Sequence, residues 1–271
     1  MEYKQFLPGP LLSAYVKCYW TLESGEEIMP AEREKIFPDG CTELIFHYGD
    51  LFKKHHNDRV FEYQPRSFLH GQLKQFAEIE ASGKIGIFAV RFHPHGLHHF
   101  LNTDLQEITG QNIAPGDFWK KEGEVLEDKI LHAAGARQRI EIIENFLLAR
   151  LSKTKSRSGF TDYCVRQILQ SNAAISIDKL AKDSGVSRRH LERKFITKVG
   201  LTPKLFSRIV RFQNAITRIE QGDFSNLTYL SLENGFYDQS HFIHDFKAFT
   251  GISPKLYFSE KLEFARHLIA E

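Results

Sequence analysis

The sequence predicts an α+β protein, with a β-rich N-terminal half followed by an all-α C-terminal half. Short stretches rich in aromatic and β-branched residues, separated by turn residues, fill the first ~90 residues. A pattern of two short helices around a glycine turn occurs twice between residues 180 and 254. The charge also changes sign: residues 1–149 carry 16 Lys and Arg against 22 Asp and Glu, whereas residues 150–271 carry 20 against 12. A basic C-terminal half is typical of proteins that bind polyanions.

Composition sets the broad class. The chain has 271 residues, of which 42% are hydrophobic and 26% charged, enough for two globular domains. No apolar run approaches the roughly 18 residues of a membrane span, so we expect no membrane partner. The first residues lack the basic-then-apolar form of a signal peptide, and a cytoplasmic location follows by default. Three scattered cysteines predict neither a disulfide framework nor a paired-cysteine zinc site.

The N-terminal half is predicted to be a small sandwich or barrel, because many short strands are separated by turn signals. The clearest strands are expected at 15–22, 42–48 and 85–92, with weaker candidates at 60–63 and 77–81. Helical patterns then follow at 97–101 and 105–108 and along one segment from about 125 to 151.

The domain organisation follows from a polar, basic stretch at 152–159, which is typical of a linker. We therefore expect a β-barrel-like regulatory or dimerisation domain with trailing helices at 1–151. The C-terminal domain, 160–271, is expected to begin with a helix capped by Thr161 or Asp162 and to end with an amphipathic helix near 262–269.

The repeat in the C-terminal half predicts two equivalent helix-turn-helix units. The offsets agree, since 246 − 195, 251 − 200 and 254 − 203 all equal 51, while 235 − 185 is 50. The second turn therefore has one extra residue. The matching residues of the first copy are Gly185, Leu191, Phe195, Gly200 and Pro203, and those of the second are Gly235, Phe242, Phe246, Gly251 and Pro254.

Each helix of this region has its own start and stop signals. Ser176, Ser187 and Asp238 can cap helices, and Gly185 can take the left-handed conformation that ends one. Thr202 followed by proline predicts a long helix that ends near residue 222. Its predicted buried stripe is Leu205, Ile209, Phe212, Ile216 and Ile219. In the second helix of each helix-turn-helix unit, the inward residues are expected to be Leu191, Phe195 and Val199, and Phe242, Phe246 and Phe249.

These residues resemble the DNA-binding domain of the AraC/XylS family of bacterial transcription regulators. The resemblance covers about 160–258 and is carried by Leu191-x-Arg193-x-Phe195, Gly200-x-x-Pro203, Gly235-Phe236, Ser240-x-Phe242, Phe246-Lys247 and Gly251-x-Ser253-Pro254-x-x-Tyr257. It implies two helix-turn-helix units joined by a linker helix, with both recognition helices entering adjacent major grooves of double-stranded DNA. We expect no enzyme activity, no catalytic residue and no cofactor.

The resemblance also gives the DNA-contacting residues by position. The base-reading candidates are Arg189, Glu192 and Arg193 in the first unit and Gln239, Ser240, His241 and His244 in the second. Arg can fork onto guanine, Gln onto adenine, and Glu can accept from cytosine. Position 244 is often Arg in such regulators, and the shorter His predicts a weaker contact. The phosphate candidates are Arg188, Lys194, Lys198 and Lys247.

The N-terminal half is similar to the degenerate, cupin-like sensor domains (DUF6597-type) attached to some of these regulators. The similarity rests on Pro38-Asp39-Gly40-Cys41-x-Glu43-Leu44-Ile45-Phe46 and Ile87-x-x-Val90-Arg91-Phe92-x-Pro94. The chain is therefore interpreted as a sequence-specific regulator controlled by a ligand or partner at this domain. The effector, a homodimer and the sign of regulation are left open.

The sequence is compatible with three rival interpretations. Four imidazoles at residues 93–99 could hold a metal through His93, His95 and His99, which gives the alternative of a metal-binding cupin-like sensor or enzyme domain fused to a DNA-binding domain. No Glu stands at the expected place, so no metal site is expected. An alkyl-transfer repair protein would need a zinc-activated cysteine, and Cys41 is predicted to be packing instead. A pure protein-interaction module is the third.

Overall fold

The computed structural model describes residues 1–25, 32–153, 159–223 and 226–257. It confirms a β-rich N-terminal domain followed by a helical region. The strands are β1 Glu2–Phe6, β2 Val16–Glu23, β3 Arg33–Ile36, β4 Thr42–His47, β5 Phe52–His55, β6 Phe61–Tyr63, β7 Ser67–His70, β8 Ala77–Ala81, β9 Gly86–Phe92 and β10 Asn112–Ile113. The helices are α1 Pro115–Trp119, α2 Lys121–Leu131, α3 Ala136–Lys153, α4 Phe160–Gln170, α5 Ile177–Asp183, α6 Arg188–Val199, α7 Pro203–Glu220, α8 Leu227–Glu233 and α9 Gln239–Thr250.

The strands form two antiparallel sheets that pack against each other. One has the order β1-β2-β9-β4-β7-β10 and the other the order β3-β8-β5-β6. The five predicted strands correspond to β2, β4, β9, β6 and β8. Strand β5 escaped prediction because it is Phe-Lys-Lys-His, without apolar alternation. Pairing with β8 stabilises this strand instead, since Lys53 and His55 both contact Glu80 of β8.

The larger sheet has buried side chains on both of its faces. Alternate residues such as Tyr19, Phe46 and Phe88 point to the face covered by α1–α3 and form the main N-terminal core. Their neighbours, including Ile87 and Ala89, face the smaller sheet in a second cluster. The period of two along each strand thus sorts side chains between two different cores.

The helical segment predicted from about 125 to 151 is two helices, and in this respect the prediction was wrong. Helix α2 ends at Leu131 and α3 begins at Ala136. Both bury apolar side chains in the same core, for example Ile130 and Ile143, so the chain has to reverse between them. The buried Arg139 Nε donates to the Ile130 carbonyl at 3.2 Å, which satisfies an acceptor at the end of α2.

Helices α3 and α4 lie on either side of the predicted linker between the halves. Helix α3 continues through Lys153, so the start of the predicted linker is helical, and residues 154–158 and the predicted helix near 262–269 lie outside the described residues. Gly159, and neither Thr161 nor Asp162, is the N-cap of α4. Asp162 lies in the first turn instead, and its Oδ2 accepts from the Gly159 backbone N–H at 3.3 Å.

The C-terminal half has its own core, centred on α7. The predicted caps Ser176, Ser187, Thr202 and Asp238 each accept a backbone N–H three residues later. Gly185 has φ +66, which confirms the left-handed turn. Local sequence signals therefore define the starts of α5, α6, α7 and α9 correctly.

Helix α7 is buried on a wider surface than its predicted stripe. Phe206, Val210 and Ala215 are buried, whereas Leu205 is only partly so. The N-terminal half also contacts this helix, because the Gln213 Nε2 donates to the Pro38 carbonyl at 2.6 Å. The two halves of the chain are packed against each other along this helix.

Candidate nucleic-acid interface

The first helix-turn-helix unit presents α6 with one face in the core. Leu191, Phe195 and Val199 are buried, as predicted. The helical period of 3.6 therefore turns Arg189 and Arg193 outward, and both are exposed. Their guanidinium groups lie one turn apart on the same face, which is the arrangement that a base-reading helix needs.

Charged side chains of α6 are partly paired with each other and with α5. Arg188 donates to Asp178 at 3.1 Å and to Glu192 at 3.0 Å. Arg193 Nη2 lies 3.2 Å from His190 Nδ1. These are exposed contacts in high dielectric, so they hold the side chains weakly and can be exchanged for DNA contacts.

The second unit presents α9 in the same way. Phe242, Phe246 and Phe249 are buried, as predicted, while Ser240 and His244 are exposed. By the repeat offset these two align with Arg189 and Arg193, since 240 − 189 and 244 − 193 both equal 51. The second unit thus presents a hydroxyl and an imidazole where the first has two guanidinium groups.

Two further base-reading candidates of α9 are partly engaged within the protein. The Thr228 hydroxyl donates to Gln239 Oε1 at 2.9 Å, which leaves the Gln239 amide NH₂ as its outward donor. His241 Nε2 lies 3.8 Å from Asp245 Oδ2. Both side chains are partly buried and lie near the N-terminus of the helix, where reading helices contact base edges.

A buried ion pair, which sequence reasoning missed, ties α9 to the linker helix α7. Arg208 donates to both carboxylate oxygens of Asp245, at 3.0 and 2.7 Å, and only 1% of the Asp245 side chain is exposed. Burial alone would raise the pKa of Asp245, but the hydrogen bonds from Arg208 outweigh it and the pKa is lowered. The only signal of this ion pair in the sequence was the position of Asp245, next to His244 on the outward face of α9.

The phosphate candidates fall into two groups. Arg188 and Lys247 are exposed, whereas Lys194 and Lys198 are partly buried. A Cβ at Gly159 would lie 3.4 Å from Lys198 Nζ, so Lys198 sits beside the start of α4, where the two halves meet. Its role as a phosphate contact stays a prediction.

The N-terminal half contacts the ends of both reading helices. The Thr109 hydroxyl donates to the carbonyl of Gly200 at 2.8 Å, just after α6. A Cβ at Gly251, just after α9, would lie 2.6 Å from the Phe76 ring. We call these contacts, with those on α7, the interdomain seam.

The centre of the interdomain seam is a tight turn against α7. Gly40 has φ +76, and a Cβ there would lie 2.7 Å from the Phe206 ring. The Gln72 Nε2 donates to the Gly40 carbonyl at 2.8 Å. The seam lacks room for a side chain at Gly40, so the helix that links the reading units is packed directly on the sensor-like half.

A cavity of about 120 Å³ lies between the two sheets. Its lining is largely apolar, with Ile45, Phe52 and Ile79 among its walls. His47 supplies a polar group: its Nε2–H donates to Gln64 Oε1 at 3.1 Å, and burial lowers its pKa to about 4, so the ring is neutral. Such a site suits a small, mainly apolar molecule.

The histidine run forms the junction after β9. His93 is partly exposed and its Nε2 lies 3.2 Å from the Ser13 carbonyl. His95 and His99 are buried. His98 and His99, together with Asp162 of the other half, form a cluster that the sequence did not predict.

Cys18, Cys41 and Cys164 are free thiols, and all three are buried. Burial raises the pKa of Cys41 to about 12, so this sulfur stays a protonated thiol at neutral pH. Its packing is the environment of a structural cysteine.

Two family matches cover separate parts of the chain. Residues 4–114 match the family described as a domain of unknown function, DUF6597, and residues 180–260 match the family described as a helix-turn-helix domain. A search of curated protein sequences finds no match.

Solved structures are similar at low sequence identity. ToxT from Vibrio cholerae is 13% identical, with 89% of this chain and 97% of that chain covered and a TM-score of 0.48. ToxT bound to (E)-4-(8-methylnaphthalen-1-yl)but-3-enoic acid is 11% identical, with coverages of 95% and 98% and a TM-score of 0.47. The AraC-like transcriptional activator CuxR is 12% identical, with coverages of 82% and 90% and a TM-score of 0.30. At these identities residue roles do not transfer between the proteins.

Proposed function

This chain carries a helix-turn-helix domain of the AraC type behind an N-terminal DUF6597 domain, and on that premise we propose that it is a DNA-binding transcription regulator of bacterial type. The protein reads two adjacent major-groove segments with α6 and α9. The observation that carries the proposal is the pair of outward helix faces on one α7-centred core. Domain limits of 1–151, 152–159 and 160–271 are part of the proposal.

The first unit supplies most of the sequence specificity. Arg189 and Arg193 are exposed on one face, where each can donate two hydrogen bonds to a guanine. Glu192 can accept from cytosine once Arg188 turns from it to phosphate. The base-reading residues proposed for the second unit are Gln239, Ser240, His241 and His244.

The backbone contacts come from Arg188, Lys194, Lys198 and Lys247. Each such contact releases counterions, so binding should weaken steeply as salt rises. The acidic N-terminal half adds no affinity of this kind, because residues 1–149 have a formal net charge of −6, from 16 Lys and Arg against 22 Asp and Glu.

The N-terminal half regulates the DNA-binding units through the interdomain seam. A small, largely apolar effector in the cavity between the sheets would shift β4 or β9, and β4 directly follows the turn at Gly40 that packs on Phe206. A screen of metabolites by thermal shift tests this, and turnover of any of them would overturn the proposal that the domain is not an enzyme.

Oligomeric state and location complete the proposal. A homodimer is supported by Leu7 and Leu11, which are 80% and 73% exposed beside the edge strand β1. Sedimentation velocity measures it directly. We place the protein in the cytoplasm, where DNA is accessible. Among the described helices, none combines the length and the apolar character that a bilayer crossing requires.

The deciding experiment is selection of bound sequences from random double-stranded DNA by the full chain. We expect two preferred blocks about 10 base pairs apart, the spacing of successive major grooves. The variant Arg193→Ala should lose preference at one position. The matched control Arg137→Ala, which removes an exposed arginine of α3, should leave the selected site unchanged. Recovery of no preferred sequence by the native chain would refute the proposal.

A further inference from the structure

The cluster of His98, His99 and Asp162 lies where the two halves meet, apart from both reading helices. His98 and His99 follow β9 in the N-terminal half, and Asp162 lies in the first turn of α4. One ligand-type atom from each of the three side chains lies within 4.8 Å of the others. His99 Nε2 is 3.4 Å from Asp162 Oδ2, and these side chains are 0% and 3% exposed.

The cluster contains acceptors that no described protein group satisfies. Asp162 Oδ1 and His98 Nε2 are both buried and, within the described residues, have no hydrogen-bond partner. A carboxylate oxygen and an imidazole lone pair cannot donate to each other. Buried acceptors without a partner are costly, so a cation or a donor between them is required.

The tautomer of His98 is already set for metal binding. Its Nδ1 lies 2.6 Å from the His95 carbonyl, which can only accept, so Nδ1 carries the proton and Nε2 carries the lone pair. A backbone carbonyl holding the far nitrogen is the usual outer contact of a metal-ligating histidine. Asp162 is oriented similarly, because its Oδ2 accepts from the Gly159 N–H at 3.3 Å.

We propose that His98, His99 and Asp162 bind one divalent transition-metal ion, of which Zn²⁺ is the best fit, across the interdomain seam. Two imidazoles and one carboxylate suit zinc, cobalt or nickel better than magnesium or calcium, which take oxygen ligands. A tetrahedral zinc with bonds of about 2.0–2.2 Å spaces its ligand atoms roughly 3.3 Å apart, so small side-chain rotations close the cluster.

The ion stabilises the contact between the halves. Its ligands come from both of them, so metal binding favours the arrangement in which the N-terminal half is packed on the DNA-binding half. Three protein ligands leave the fourth coordination position of the ion for a water molecule. The positive charge of Lys198 is close enough to His98 to act on this histidine electrostatically. The ion should therefore exchange more readily than one in a structural four-ligand site.

The test uses the full chain, freed of any purification tag and of metal by a chelator. Calorimetric titration with Zn²⁺ should give one equivalent bound, and Co²⁺ should give the visible spectrum of a tetrahedral site. His98→Gln and Asp162→Asn should each weaken binding by at least about 100-fold, since loss of an outer contact alone costs 10–100-fold. Asn keeps an oxygen for the Gly159 N–H.

His93→Gln is the matched control, because this histidine of the same run is outside the cluster. The zinc affinity of this variant should lie within about twofold of that of the native chain. Zinc should raise the melting temperature of both proteins by the same amount. Equal zinc affinity in all variants, or none in the native chain, would overturn the proposal in favour of a bridging water. If the ligand variants do not fold, X-ray absorption of the native zinc complex must show two imidazoles and a carboxylate. Any other ligand set refutes the site. DNA binding does not enter either readout.

Discussion

Replacing Arg208 with methionine should lower the free energy of unfolding of the C-terminal half by about 3 kcal/mol at pH 7. The change removes both hydrogen bonds from Arg208 and leaves the buried Asp245 carboxylate without its arginine partner. Breaking buried pairs costs about 3–5 kcal/mol. The lower end applies because Arg208 is 26% exposed and Arg211 also acts on Asp245. Methionine keeps most of the contact with the Phe249 ring.

The loss of stability that Arg208→Met causes should become smaller as pH falls. In the native chain the pKa of Asp245 is lowered, so the pair stabilises the fold above the unfolded pKa and is lost as pH falls through the folded pKa. Without Arg208, burial raises that pKa, and protonation of Asp245 then relieves the penalty. His244 and His241, at 3.4 and 3.8 Å from the Asp245 carboxylate, lower the pKa of Asp245 less than Arg208 does. The difference between the two proteins should therefore shrink from pH 7 towards pH 4.

Urea unfolding of the full chain, followed by helical circular dichroism, measures this, because both tryptophans, Trp20 and Trp119, lie in the N-terminal half. Arg208→Met combined with Asp245→Asn should recover part of the loss, since no buried charge remains. Arg137→Met is the control for removing an exposed arginine. A loss that stays constant from pH 7 to pH 4, or a double variant that is simply additive, would refute the reasoning.

Four further predictions follow from the same geometry. Arg193→Ala should weaken specific DNA binding by about 1–3 kcal/mol and relax the preference at one base position, while the protein stays folded. Leu191→Ala should instead lower the free energy of unfolding by about 2–5 kcal/mol, because it opens a cavity in the core. Denaturant and DNA-binding titrations of both variants check this. His244→Arg should strengthen the second half-site in a repeated DNA selection, because it supplies the guanidinium that the first unit has, and an unchanged half-site would contradict it. The 18 residues of α7 span about 27 Å, so inserting about 5 base pairs between the half-sites should reduce affinity to that of one unit; equal affinity at every spacing would show that only one unit reads DNA. Residues 156–271 should fold alone and bind DNA with a steep salt dependence, which a soluble, helical fragment without affinity at low salt would contradict.

Patterns within one element were readable from the chain because their causes are local. The caps at Ser187 and Asp238 and the left-handed turn at Gly185 depend on residues at most three positions away. The same holds for the buried stripe of α6, since helical geometry alone places every third or fourth residue inward. The outward positions of Arg189 and Arg193 follow directly from that stripe.

Contacts between elements were not readable in this way. Strand β5 and the break between α2 and α3 depend on partners that pair or pack from distant positions. The same is true of Asp245, whose buried carboxylate is paired with Arg208 of the distant helix α7. A charged residue in a helix can be solvated or buried, and only its partner decides which.

By itself, the sequence determined the fold class, the two helix-turn-helix units and the residues that each reading helix turns outward, because these follow from short-range periodicity and from a repeat inside the chain. Only the tertiary structure decided how the two halves meet. It placed Gly40 against Phe206, and it brought His98 and His99 to Asp162 across more than 60 residues of chain. Such contacts form between residues that are far apart in the chain, and the local pattern around one residue carries no information about its distant partner.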